Sequence, residues 1–166
     1  MNQVTREISY ASSVRSKTGQ TMVRVVENAT GRLGLIRRAN GYELEVEQGR
    51  DFWDVMVRRY GLSLDVAGGS LDNIPAAGPL VLIANHPYGI LDGLIMGYLL
   101  SQRRGGEFKI LANSVFRRAR ALDNILLPVS WDETREAVEM NLRTRATALE
   151  VLRNGGAMGV FPGGTV

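Results

Sequence analysis

The stretch Leu80-Val81-Leu82-Ile83-Ala84-Asn85-His86-Pro87-Tyr88-Gly89-Ile90-Leu91-Asp92-Gly93 decides how the chain is read. Its first five residues are a continuous apolar run, the pattern of a strand buried on both faces. Leu91 to Leu100 continues as an apolar helix. His86, the single histidine of the protein, sits at the tip of the strand, and Asp92 follows six positions later at the helix start. An imidazole can take a proton near neutral pH, and a neighbouring carboxylate can fix its tautomer and stabilise the imidazolium. The stretch therefore reads either as a base with its orienting acid or as a solvated loop histidine beside an N-cap aspartate.

Strands and helices alternate downstream. Phe108 to Ala112 reads as a buried strand, and Ser114 to Ala121 as a short basic helix carrying Arg117, Arg118 and Arg120. Ile125 to Val129 is a further strand, which Pro128 confines to a sheet edge or a strand end. Asp132 to Arg153 is the strongest helix, with Thr134 or Asp132 as cap and Val138, Leu142, Leu149 and Leu152 on one face. Asn154-Gly155-Gly156 stops it. Ala157 to Phe161 is a last buried strand, leading directly into Pro162-Gly163-Gly164-Thr165-Val166.

Upstream, residues 1–20 read as disordered or loosely attached. Val23 to Ala39 is one short helix or two pieces, weakened by Gly31 and Gly34. Tyr42 to Val46 is a short strand or the start of a helix. Asp51 to Tyr60 is a helix, capped by Asp51 and stopped by Gly61. Leu62 to Val66 alternates like a strand and ends at Gly68-Gly69, before a turn-rich connector from Asn73 to Pro79. The pattern implies an α/β fold, a largely parallel sheet flanked by helices, with an N-terminal helical segment. In such sheets ligands bind beyond the carboxyl ends of the strands. His86 and the Pro162 to Thr165 turn both follow strand ends, so one pocket can hold both.

At 166 residues the chain fits one domain, assigned here to residues 21–166, and 45% apolar content is enough for a real core. The absence of cysteine excludes disulfides and thiolate nucleophiles, and with one histidine no metal site is expected. A net charge of +3 and a pI near 9.6 suit anionic headgroups, phosphorylated substrates or acidic protein partners. The arginines are not interleaved with aromatics, and no helix-turn-helix or zinc pattern occurs, so nucleic acid is not an expected partner. No run approaches the roughly 18 apolar residues that span a bilayer. The N-terminus has no signal-peptide core, so the expected location is cytoplasmic, peripheral to the inner face of a membrane.

In this order, the parts resemble the glycerolipid (lysophospholipid) acyltransferase family. Asn85-His86 with Asp92 resembles its first block, and the segment from Phe108 to Val129 resembles its middle block. Val160-Phe161-Pro162-Gly163-Gly164-Thr165 resembles its Phe-Pro-Glu-Gly-Thr block. The resemblance covers residues 80–166, the motif-bearing core. The family usually has four residues between His and Asp; here five intervene, Pro87 to Leu91. That spacing resembles the haemolysin-like branch, and Gly89 can absorb the extra residue at positive φ. Gly163 stands where the family has a Glu associated with a phosphorylated glycerol acceptor. This leaves lyso-lipids, or the hydroxyl of an N-acylated amino acid, more open than glycerol phosphate. Family domains continue beyond the last block, so the chain reads as incomplete at its C-terminus.

The resemblance implies an enzyme of lipid metabolism and phospholipid biosynthesis. It would move a fatty acyl group from acyl-CoA or acyl carrier protein to a lyso-lipid hydroxyl, with His86 as base and Asp92 as its partner. No bound cofactor is implied; the thioester is a co-substrate. Its partners are then the thioester donor, the lipid acceptor and a membrane surface. The substrate-binding candidates are Asn85, Gly89, Lys109, Arg117, Phe161, Pro162, Gly163, Gly164 and Thr165. Backbone N–H groups around Gly163-Gly164-Thr165 can serve an oxyanion or a phosphate, or the turn is an ordinary strand end. Lys109 and Arg117 suit a phosphate or acidic carrier, or belong to a solvated basic face. Two other readings share the dyad: a thioesterase-like hydrolase using water, and an inactive lipid-binding fragment.

Overall fold

The computed structural model of the chain describes residues 40–113 and 122–163, together with positions 16, 21, 34, 37 and 38. The readings for the rest of residues 1–39, the basic helix with Arg117, and Gly164 and Thr165 lie outside the described residues. Strands β1 (Leu80–Ile83), β2 (Phe108–Asn113), β3 (Leu126–Val129) and β4 (Ala157–Val160) form a parallel sheet in the order β1-β4-β2-β3. The expected α/β architecture is borne out.

Helix α3 (Ile90–Arg104) joins β1 to β2, and α4 (Arg135–Arg153) joins β3 to β4. The two crossovers run in opposite directions across the sheet, so right-handed connections place the helices on opposite faces. Gly159 faces α3: a Cβ there would sit 2.4 Å from the Met96 sulfur. Two N-terminal helices, α1 (Tyr42–Glu47) and α2 (Phe52–Tyr60), complete the α3 side. The Asp51 carboxylate caps α2 by accepting the Asp54 N–H at 2.9 Å, and Gly61 closes it at φ 65°. Trp53 packs into the gap left by Gly97, where a Cβ would stand 2.2 Å from its ring. Trp53, Val55, Leu94, Leu100, Phe108 and Ile110 belong to an apolar core between the sheet and these helices.

The sequence reading needs three corrections. Leu62 to Val66 forms no strand, and Leu64 and Val66 are exposed. Alternation makes a strand only where a neighbouring strand offers a ladder, and among the described residues no strand pairs with this segment. Strand β1 is not buried on both faces. It lies at one edge of the sheet; Leu80 and Leu82 pack on the core, while Val81 and Ile83 are 47% and 62% exposed. Helix α4 ends at Arg153 as expected but starts at Arg135 and not Asp132, with Thr134 as cap accepting the Ala137 N–H at 3.2 Å, and Val138, Leu142 and Leu149 are exposed. Its buried side uses Ala137 and Thr144 instead. The Thr144 hydroxyl donates to the Pro128 carbonyl at 2.6 Å, and the Asn141 amide brackets Ser130. Polar bonds to the end of β3 thus set the rotation of α4 and turn its leucines outward. Two open readings are settled: Tyr42 to Val46 is helical, and the Pro128 strand is an edge.

At the amino ends of the strands, Arg104 is buried, at 6% exposure. It donates to the carbonyls of Pro75 (3.0 Å), Gly78 (2.6 Å) and Gly155 (2.5 Å). This ties the loop before β1 to the turn before β4. No helix among the described residues is long and apolar enough to cross a membrane.

Candidate active site

The site is assembled at the carboxyl ends of the neighbouring strands β1 and β4. Ile83 is in register with Val160, and the Ala84 N–H donates to the Val160 carbonyl at 3.3 Å. The two chains therefore leave the sheet side by side, carrying His86 on one and Phe161 on the other. Their rings stack, with centroids 4.2 Å apart and planes 26° apart.

Pro87-Tyr88-Gly89 then turns the chain into α3. Gly89 is the N-cap, with φ 59° and ψ −119°, a conformation open to glycine and strained for other residues. Asp92 is consequently the third residue of α3 and not its cap. Its Oδ2 accepts the Tyr88 N–H at 2.7 Å and lies 3.5 Å from His86 Nδ1. A third-residue carboxylate reaching back past the helix start is a variant of the capping box, and the helix N-terminus favours its negative charge.

The His86 and Asp92 side chains are 22% and 19% exposed. Nδ1 is buried and has no hydrogen bond, and 3.5 Å to the carboxylate is ion-pair range. With Nδ1 turned towards Asp92, Nε2 is the nitrogen left to meet a substrate hydroxyl. A half-buried imidazole with a carboxylate facing its Nδ1 can act as a general base. Among the described residues no group of three or more His, Cys, Asp or Glu side chains is gathered to hold a metal.

The structure brings together His86, Gly89, Asp92 and Phe161 from the sequence candidates. Asn85 precedes His86 and is exposed, and Pro162 and Gly163 form an exposed turn directly after Phe161. Lys109 is not brought to the site. It lies near the amino end of β2, in register with Met158, and its ammonium donates to the Asn124 carbonyl. Arg117, Gly164 and Thr165 lie outside the described residues. The sequence reading missed Tyr88, whose N–H holds Asp92; the four-residue interval across a helix start was its signal. It also missed the ring-on-ring contact of Phe161, which depends on β1 and β4 being neighbours. A cleft of about 490 Å³ between β3 and α4, lined by Leu127, Pro128, Met140 and Thr144 among others, involves none of the site residues.

Residues 66–166, well over half the chain, match the Acyltransferase family. The chain belongs to that family. The protein is 29% identical over 82 residues to a Lyso-glycine lipid O-acyltransferase of Bacteroides thetaiotaomicron. It is 27% identical over 82 residues to a protein of the same name from Phocaeicola vulgatus. Each aligned stretch covers 49% of this chain and 29% of the relative, so the match spans under a third of those proteins. No solved structure matches the chain. The resemblance read from Asn85-His86, Asp92 and the Val160 to Thr165 block is thus borne out at the level of the family. In this acyltransferase chain, the first and last of those blocks lie on adjacent strands, and their aromatic rings touch.

Proposed function

We propose that the protein transfers a fatty acyl group from acyl-CoA or acyl carrier protein to the hydroxyl of a lyso-lipid. The observation that carries this is the His86–Asp92 pair, 3.5 Å apart at the carboxyl end of the sheet, in a chain of the acyltransferase family. His86 Nε2 takes the proton of the acceptor hydroxyl as its oxygen attacks the thioester carbonyl. The new C–O bond forms, the tetrahedral oxyanion collapses, and the C–S bond breaks. The thiolate leaves and receives the proton back from the imidazolium. Asp92 stabilises that imidazolium throughout, as in hydrolase dyads. Direct attack needs no enzyme nucleophile, which suits a chain without cysteine. A positioned base contributes about 10²–10⁴ in rate. Backbone N–H groups around Gly163-Gly164-Thr165 are our candidates for stabilising the oxyanion.

The relatives' name points to a lyso-glycine lipid as acceptor, and Gly163 in place of an acidic residue supports an acceptor other than glycerol phosphate. We take a lyso-lipid with an N-acylated amino-acid head as the acceptor class. Such an acceptor places the reaction at a membrane surface, and the thioester donors place it on the cytoplasmic side. Tyr88 and Trp131, 74% and 62% exposed beyond the carboxyl ends of β1 and β3, support docking of this end of the sheet.

The test is thiol release from acyl-CoA and acyl carrier protein thioesters, with and without lyso-lipid acceptors, for the protein and for His86→Ala. Acceptor-dependent release that falls about 10²–10⁴-fold in His86→Ala is expected. Release indifferent to acceptor would make the protein a hydrolase. No release would overturn the proposal.

A further inference from the structure

We infer that Phe161 is a positioning residue for the general base: its ring clamps the His86 imidazole so that Nε2 is presented to the acceptor. This rests on the proposed role of His86. The Nδ1 edge of the imidazole is not hydrogen-bonded, and its carboxylate partner stands at 3.5 Å. Rotation about the histidine χ2 is soft, so this edge alone does not fix the ring. What fixes it is the phenyl ring stacked on its face at 4.2 Å and 26°. Turning the imidazole out of this plane would drive one edge into Phe161.

Phe161 is itself held. It is half-buried against the apolar core, and it follows the last paired residue of β4, whose carbonyl accepts the Ala84 N–H. The contact also changes during the reaction. When the imidazole takes the acceptor proton it becomes a cation, and its centroid lies within the roughly 6 Å at which an aromatic face attracts positive charge. The interaction is therefore stronger in the transition state than in the ground state, which is the condition for a contribution to kcat. Phe161 thereby links the last sequence block to the first through the base, without touching the reacting atoms.

The single histidine makes the test direct, because its labelled imidazole gives one set of NMR signals. The protein is compared with Phe161→Leu, Phe161→Tyr and, as a core control away from the ring, Ile110→Val. In Phe161→Leu the ring-current displacement of the imidazole C–H protons is lost and the two ring nitrogens move towards averaged tautomers. There kcat falls roughly 10- to 100-fold, as for a displaced catalytic group, while KM for the acceptor holds. Phe161→Tyr restores both readouts, and Ile110→Val lowers the unfolding midpoint without moving the imidazole signals. An unchanged imidazole spectrum in Phe161→Leu overturns the inference, as does a loss carried wholly by KM, which would make Phe161 a substrate contact. Should the protein transfer no acyl group, the proposed function fails, and the spectra alone still decide whether Phe161 sets the ring.

Discussion

The two ends of the parallel sheet are held by opposite devices. At the amino ends, one buried guanidinium collects the carbonyls of Pro75, Gly78 and Gly155, leaving only its Nε without a partner. At the carboxyl ends, His86 buries Nδ1 with no hydrogen bond at all and keeps a carboxylate at ion-pair distance. A buried polar group costs free energy unless it is satisfied. The amino end answers that cost with backbone carbonyls. The carboxyl end leaves it standing, and does so beside an exposed loop. The β1–β4 register is fixed by Arg104 at one end and brings His86 and Phe161 together at the other. On the proposed function, stability and chemistry are divided along the length of the strands.

Asp92→Asn tests that division with the largest expected effect. The Asn carbonyl still accepts the Tyr88 N–H, so the helix start survives, and only the charge facing Nδ1 is lost. Removing the charge from such a dyad costs about 10⁴ in kcat. Thiol release should fall by that order while the thermal unfolding midpoint stays close to that of the parent. Retained activity would mean that the carboxyl end is no more reactive than the rest of the surface. Arg104→Met is the mirror case. The methionine keeps the apolar stem and leaves three carbonyls unmet, at about 3 kcal/mol in denaturant unfolding. Turnover per folded molecule should not change. A loss of kcat in the folded fraction would show that the two ends are coupled.

The difference between the ends also explains what was legible in the sequence. The order of elements, the Asp51 cap, the Gly61 stop and the strand-loop-helix around His86 depend on local patterns and were readable. So was the place of Pro128 at an edge, because a missing N–H cannot sit inside a ladder. Strand order was not legible, because Leu80 to Ile83 has the same apolar composition whether it is central or at the edge. That ambiguity produced the mistaken burial of Val81 and Ile83, and it hid the Phe161–His86 stack, which exists only because β4 lies beside β1. The rotation of α4 was equally hidden. Its apolar stripe suggested a core face, whereas the bonds of Thr144 and Asn141 to the end of β3 turned that stripe outward. Lys109 lies away from His86 for a related reason. Strand direction puts the first residues of β2 at the Arg104 end, and a single position along a strand does not reveal which partner it will meet.

The smallest effect expected is on pH, and it separates the core from both ends. The hydroxyls of Tyr42 and Tyr60 are pushed above the ordinary 10.0 by burial; at Tyr60 the neighbouring Arg38 charge pulls part of the way back. A tyrosine whose proton is held more tightly in the folded state stabilises the fold fully below its unfolded value. That contribution disappears as pH rises from there through the raised folded value. The unfolding midpoint should therefore be insensitive to these two residues below about pH 10 and fall above it. Tyr42→Phe and Tyr60→Phe should each flatten the alkaline fall. Alkaline unfolding that keeps its full slope in both variants would move the weak point out of the α1–α2 core. It would then lie at one of the two strand ends, where the Arg104 and Asp92 variants would identify which.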